Sequence, residues 1–451
     1  MRGRRSGQRV GLQQPREPDG RPAQRDLQLR RRALRRPGHE RRRAGSVRAG
    51  RARADQRRRL PRFHVRQCRA LLGRGESRLL QGHRRREAGR GGAGAQRHVR
   101  GQVKLPLFGL NRFDARSVDA FAADVRRVEQ FGWDAAWQPD SQLRRRDTYV
   151  LLAAAARATS RITLGTLLAN PINRHPTVTA SSIATIDELA PGRVILGWGA
   201  GDTAVRLAGL RPASIKELEA GTRLMRALLD GQKVEVGAAE PAWLPHHRPV
   251  PIWIAAGGPR TLRMAGGSAD GVFIRVGTHE ANITTSVDAI RAGALEAGRD
   301  PSSVRLGAIF HTVLVEDEER ALTMARSMAA GYYEYSPALF GPPGLPWTGP
   351  DPEKLKKDRH VWPDFHHADD LEMSGRVVDF LPVAAADAFS LRGGSEHVAE
   401  QLVRVLRRAP CEFDHVVLHP IPNPRFPGDP EQDYTARVAR DALPRVRRAL
   451  A

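Results

Sequence analysis

Residues 162–202 read ITLGTLLANPINRHPTVTASSIATIDELAPGRVILGWGAGD and constrain this chain more than any other stretch. Residues 162–168 have the length and β-branched start of a strand hidden on both faces, and residues 194–198 read the same way. Between them Pro176 suits a first helical turn, Ile183, Ile186 and Leu189 recur at helical spacing, and Pro191-Gly192 stops the helix. The stretch is therefore a βαβ unit. Two parallel strands joined through a helix send both following turns, 169–175 and 199–202, to the same edge of a sheet, where α/β folds bind ligands.

The same alternation recurs along the body. Strands are predicted at 104–110, 133–138, 162–168, 194–198, 251–256, 271–276, 304–315 and 415–419. Helices are predicted from 117 to Gly132, over 144–158, 215–230, 257–266, 280–298, 317–332, 370–389 and 395–408, and over 433–450. A hairpin-like stretch runs to Arg248. Eight interior strands, each followed by a helix, in about 350 residues is the pattern of a closed (β/α)8 TIM barrel. Residues 334–370, rich in Pro and Gly and bearing Phe340, Trp347, Trp362, Phe365, His366 and His367, become an insertion after strand seven.

Charge divides the chain in two. Residues 1–100 hold 32 arginines, no lysine and seven acids, which supplies the whole formal charge of +25; in residues 101–451 the basic and acidic residues cancel. The first hundred residues lack Ile, Thr, Asn, Tyr and Trp and show no sustained periodicity. Such a segment does not bury enough apolar surface to offset its ordering entropy, so a disordered Arg-rich extension is expected over 1–100 and a single barrel domain over 101–451. Two readings compete for the extension: a phosphate-binding arm, or residues added by a mis-assigned start. The near absence of residue types with AT-rich codons favours the second. With a neutral body, no nucleic-acid partner is expected for it. No secretory core or membrane-spanning run is present, and a cytoplasmic protein is expected. Cys68 and Cys411 are the two cysteines, too few for a disulfide framework or a cysteine metal site in the body.

The barrel reading places Asp140, 167–175, 199–202, 257–261 and His419 at the C-terminal strand ends, the catalytic positions of that fold. Gly257 and Gly258 enter a helix start whose N–H groups and dipole suit a phosphate, with Arg260 adding charge; the other reading is a tight turn. In the Gly199–Ala200–Gly201–Asp202 turn the glycines let backbone approach a flat ligand. Asp202 is either a general acid or base or the cap of the next helix, and Asp140 faces a similar choice between ligand contact and capping. His175 lines the pocket or serves the helix start. The pairs His246-His247 and His366-His367 are read as solvated loops and no metal is assigned, since neighbouring residues diverge and no carboxylate recurs at ligand spacing.

These segments, LGTLLANPINRHPTVTASSIATIDELAPGRVILGWGAGD, PIWIAAGGPRTLRMAGGSADGVF and DAFSLRGGSEHVAEQL, resemble the bacterial luciferase-like superfamily of flavin- and F420-dependent oxidoreductases. The pattern is nearest to the branch holding F420-dependent methylenetetrahydromethanopterin reductase. The resemblance implies coenzyme F420, with FMN and a luciferase-like monooxygenase activity as the alternative. It implies hydride transfer to or from a small organic substrate, and a homodimer. It further implies that Asp140 contacts the deazaflavin head and that Leu167-Leu168 form a non-prolyl cis peptide buttressing the ring. Asn170, Ala200, Gly201 and Val205 would be further cofactor contacts, and Gly257, Gly258, Arg260 and Thr261 the phosphate-side cradle. Asp202 falls where the family's sugar-phosphate dehydrogenase has its catalytic glutamate. Ser141 stands where that enzyme has a histidine, which speaks against a sugar-phosphate substrate. Aromatic residues of the insertion are expected to close over the substrate.

Overall fold

The computed structural model describes residues 104–111, 113, 117–421 and 433–451. The arginine-rich extension, its expected disorder and the boundary at residue 101 lie outside the described residues. In chain order the strands are β1 (Leu107–Asn111), β2 (Ala135–Gln138), β3 (Thr163–Thr166), β4 (Val194–Trp198), β5 (Ile252–Ala256), β6 (Gly271–Ile274), β7 (Arg305–Leu314), β8 (Ser390–Gly393) and β9 (His415–Ile421). β1 to β7 pair in parallel, each with the next, β7 then pairs β9, and β9 returns to β1. This closes a (β/α)8 barrel. The strand expected eighth is β9.

The extra strand β8 arises because β7 is ten residues long. β6 covers β7 only through Ala308, and β8 takes up the backbone groups from His311 to Leu314 that β6 has left. Its four residues, SLRG, carry too little period to be read as a strand in advance.

The helices alternate as expected: α1 (Val118–Gln130), α2 (Thr148–Ala158), α3 (Pro176–Leu189), a short α4 (Thr203–Leu207), α5 (Ile215–Leu229), α6 (Pro259–Ser268), α7 (Glu280–Glu296) and α8 (Glu318–Tyr335). α2 starts later than the sequence suggests because Asp147 caps it, accepting from the N–H groups of Tyr149 and Val150. The helix expected over 370–389 is two, Leu371–Val377 and Val383–Phe389, parted ahead of Pro382, which lacks the N–H a continuous helix needs. The hairpin-like stretch contains one antiparallel bridge, Val234 to Ala242. Among the described residues no helix is long and apolar enough to cross a membrane.

Side chains alternate between the barrel interior and the helix layer. Trp137, Trp253, Phe273, Ile309, His415 and Val417 point inward and fill the lower barrel. Trp137 and Phe273 meet edge to face at 5.0 Å, and His415 lies 5.0 Å from Trp253. The indoles fit because glycines face them: a Cβ on Gly165 would come within 2.5 Å of Trp137, and one on Gly271 within 2.4 Å of Trp253. Outward residues such as Leu164, Leu196 and Ile254 pack under Ile183, Met225 and Val287 of the helices.

Residues 336–370 form a packed cap rather than an open loop. Phe340 and Phe365 join Met328, Tyr332 and Phe389 in a separate apolar core. Phe340 and Tyr332 each stack on Phe389, at 4.8 and 4.9 Å. Trp347 stacks on Tyr333, while Trp362 faces solvent. The expectation that the insertion's aromatics are free to close over a substrate is therefore corrected, because most of them are committed to holding the cap together.

Candidate active site

Every barrel strand runs the same way, so the turns following them share one mouth. β2 leads to Asp140, whose N–H donates to the Leu168 carbonyl at 3.3 Å. β3 leads to Leu167-Leu168, and the peptide bond between these residues is cis. The N–H of Leu167 donates to Gln138 and that of Ala169 to Gly197, both at 2.9 Å, which ties the bend to the strands on either side.

β4 leads to the glycine turn. Gly201 has φ +81°, a conformation open to glycine, and a Cβ there would lie 2.5 Å from Val205 and 3.0 Å from Asn170. Asn170 is buried; its Oδ1 accepts from the N–H groups of Ile172 and Asn173, while its Nδ2 has no partner among the described residues. Val205 is fully buried against Gly201. The strand ends thus bring Asp140, Leu167, Leu168, Asn170, Ala200, Gly201 and Asp202 into one contiguous ledge.

Neither carboxylate makes a helix-capping hydrogen bond. Asp147, not Asp140, caps α2, so Asp140 is left on the ledge. Burial pushes its carboxyl up to about 6, against the opposing charge of Arg174. Asp202 stands at the cap position of α4 but makes no capping hydrogen bond; its Oδ1 accepts from Arg206 Nε at 2.8 Å, and the carboxylate faces the hydroxyl of Tyr335. His175 caps α3, its Nδ1 accepting from the N–H of Thr177.

On the next strand, Gly257 passes close to backbone: a Cβ there would lie 2.8 Å from the Arg275 carbonyl. Gly258 caps α6 without a side chain, and Pro259 follows, so the N–H groups of Arg260 and Thr261 open the helix with no intrahelical acceptor. Arg260 is exposed and Thr261 half-buried at this entrance. The arrangement offers an anion the donors that the sequence reading assigned to it.

The floor of the mouth holds Asn111, Arg275 and His311, which sequence reading missed, and His419, which it placed at a strand end. Inward alternation carries Phe273 to Arg275 at the end of β6 and Ile309 to His311 in β7, beside His419 of β9 and Asn111 of β1. The Asn111 amide donates to Nδ1 of His419 at 3.1 Å, and the His311 and His419 rings are 5.0 Å apart. A polar residue at an inward position of an apolar strand was the available signal, and only the register of each strand reveals which positions are inward.

The cap adds Asp364, His366 and His367. His366 is buried, which corrects the expectation of solvated histidines; His246 and His247 are exposed as expected. Asp364, His366 and His367 hold their ligand atoms within 4.8 Å of one another, a spacing a metal could use. The protons argue for a hydrogen-bonded network instead. Arg275, which can only donate, gives Nη2–H to His366 Nε2 at 3.1 Å, so His366 carries its own proton on Nδ1, which lies 3.1 Å from Asp364 Oδ1. A metal on that Nδ1 would move the proton to Nε2, against the guanidinium donor. Burial raises the Asp364 carboxyl, but hydrogen bonds from His367 and from Tyr335 outweigh it and hold it below the ordinary range. Burial pushes the Tyr335 phenol well up, so it stays a donor.

The comparisons with known proteins agree with this architecture. The profile described as luciferase-like monooxygenase matches residues 94–410. A 5,10-methylenetetrahydromethanopterin reductase of Methanolobus tindarius is 33% identical over 244 residues, covering 51% of this chain and 73% of that protein. An F420-dependent glucose-6-phosphate dehydrogenase of Nakamurella multipartita is 29% identical over 310 residues, covering 66% and 81%. The solved coenzyme F420-dependent tetrahydromethanopterin reductase from Methanopyrus kandleri superposes with a TM-score of 0.57 over 76% of this chain and 99% of that one; at 21% identity the likeness is one of fold. A barrel closed by β9 and a family profile spanning residues 94–410 identify the chain as an enzyme of the luciferase-like monooxygenase family.

Proposed function

We propose that the chain is an F420-dependent oxidoreductase that moves a hydride between the deazaflavin ring and a small organic substrate. The observation that carries this reading is the ledge itself: Leu168 accepts from the N–H of the buried Asp140 and packs against Gly199 of the glycine turn. The residues fit a planar polar ring. Asn170 has a buried Nδ2 without a partner among the described residues, and Gly199 and Gly201 let the turn pack against Leu168, Asn170 and Val205, where an added Cβ would clash. The F420-dependent relatives support the choice of cofactor.

Bound there, F420 supplies a ring carbon that gives or takes a hydride. The chain's own residues do the rest. Asp140 would hold the ring head, and Leu167 and Leu168 would support the ring. Arg260, Thr261, Gly257 and Gly258 hold the phosphate. Asp202 exchanges the proton that accompanies hydride transfer, with Arg206 fixing its carboxylate. The rigid strand ends supply most of the rate through positioning.

The second reading, an FMN-dependent monooxygenase, is favoured by the family's own description and by the fold of an FMN-bound type II Baeyer–Villiger monooxygenase, with a TM-score of 0.51. Parallel titration of the purified protein with F420 and FMN separates the two. Saturable F420 binding, weakened by Asp140→Ala, supports the proposal; preference for FMN with substrate-dependent oxygen uptake sinks it. We further propose a cytoplasmic homodimer, checked by light scattering, in which residues 1–100 are dispensable for turnover.

A further inference from the structure

Resting on that reading of the mouth, we infer that the substrate is an organic acid whose carboxylate is anchored by Arg275.

Arg275 directly follows β6, continuing the inward alternation of Gly271 and Phe273, and is half-buried. Among the described residues, no carboxylate lies within ion-pair reach of it, although arginines elsewhere in the body are commonly paired, as Arg206 is with Asp202 and Arg392 with Asp387. Its partners are neutral: Nη2 donates to His366 Nε2 at 3.1 Å, and the guanidinium lies 5.7 Å from the centre of the Tyr332 ring. These contacts hold the fork in place and use only part of its five donors. A half-buried guanidinium with unused donors is answered by a planar two-oxygen anion, which matches its fork.

The position says which molecule brings the anion. Arg275 reaches the cap at His366, whose ring lies 5.1 Å from that of Tyr335, and the Tyr335 phenol adjoins Asp202. A carboxylate on Arg275 therefore lies on the same side of the mouth as the group proposed to exchange the proton. The phosphate cradle is on the preceding strand, at the start of α6, and already has its own donors. His311 and His419 line the floor beside Arg275 and suit an oxygen-rich substrate end.

Calorimetric titration of the full-length, F420-loaded protein with crotonate and with crotonamide, its uncharged counterpart of the same shape, tests this. Crotonate should bind saturably and crotonamide at least tenfold more weakly. Arg275→Gln should weaken crotonate roughly 10- to 100-fold, and Arg275→Lys by less, because a point charge replaces a fork. F420 affinity and melting temperature should be unchanged in Arg275→Lys, which separates a lost anchor from a misfolded protein. Equal binding of acid and amide, or undiminished crotonate binding in Arg275→Gln, overturns the proposal. So does absence of binding by crotonate, acetate and succinate alike. A fall in F420 affinity with crotonate unaffected assigns Arg275 to the cofactor's phosphate and also overturns it. If the wild-type protein fails to bind F420, the cofactor reading falls, while crotonate titration of the unloaded protein still reports on Arg275.

Discussion

The lower barrel and its mouth are built from the same strands by the same inward alternation, yet they hold opposite chemistry. Below, Trp137, Trp253 and Phe273 close against one another and against glycines, leaving His415 with no room for solvent. One step further along the same strands come Asn111, Arg275, His311 and His419, followed by the turns bearing Asp140 and Asp202. The lower layer is where packing stabilises the closed sheet; the upper layer keeps charge and hydrogen-bonding capacity in a partly dry cup, at a cost that the lower layer offsets.

The largest expected effect falls on the lower layer. Trp253→Ala should destabilise the protein by about 3–5 kcal/mol, read as a lower denaturation midpoint, because it empties the centre of the interior cluster. A loss below ~1 kcal/mol would mean that the bottom is not the stabilising half. The mouth should respond the other way round. Asp202→Asn should cut turnover by roughly a hundredfold or more while F420 affinity and the denaturation midpoint stay near wild type. A matching loss of stability would reduce Asp202 to a structural residue.

Titration of the two layers should carry opposite signs. Burial raises the Asp140 carboxyl to about 6, so the folded state binds this proton more tightly than the unfolded chain. Its contribution favours folding below the unfolded value near 4 and is lost as pH rises through 6, a cost on the order of 3 kcal/mol at neutral pH. Asp140→Asn should therefore raise stability at pH 7–8 and lower cofactor affinity. Burial pushes His415 down to about 4, so its contribution is present above about 6.5 and lost as pH falls toward 4. His415→Leu should flatten the acid limb of the stability curve without moving the alkaline one. Denaturation midpoints from pH 4 to 8 would show both, and a shared direction would contradict the layer assignment.

The smallest effect is at the edge of the mouth. Arg206 is largely exposed, so Arg206→Ala should cost at most about 1 kcal/mol in stability. Its consequence should instead appear as a several-fold fall in turnover, because the Asp202 carboxylate loses the donor that orients it. Unchanged turnover would mean that the pair does not steer that carboxylate.

Much of this contrast was readable before any coordinates. Interior strands announce themselves as apolar runs, and Pro176, Gly132 and Pro191-Gly192 mark helix limits that the structure keeps within a few residues. The ledge was readable as well, because Asp140, 167–175 and 199–202 follow their strands directly and parallel strands place such turns together. Less legible were the pieces whose meaning depends on register. β8 is a strand because β7 overruns β6, and His311 and Arg275 are floor residues because they fall on inward positions. The cap was misread for a related reason: Phe340 and Phe365 looked like a free aromatic cover until Met328, Tyr332 and Phe389, distant in sequence, were seen to enclose them.

Local order along the chain, hydrophobic period and turn chemistry by themselves determined that this protein is a parallel barrel with a glycine- and carboxylate-bearing rim, because each of those signals is written within a few consecutive residues. Only the tertiary structure decided which side chains meet across that rim. Arg275 with His366, Tyr335 between Asp202 and Asp364, and Asn111 with His419 are pairings made by barrel closure and cap packing, and no local pattern encodes a contact between residues that far apart.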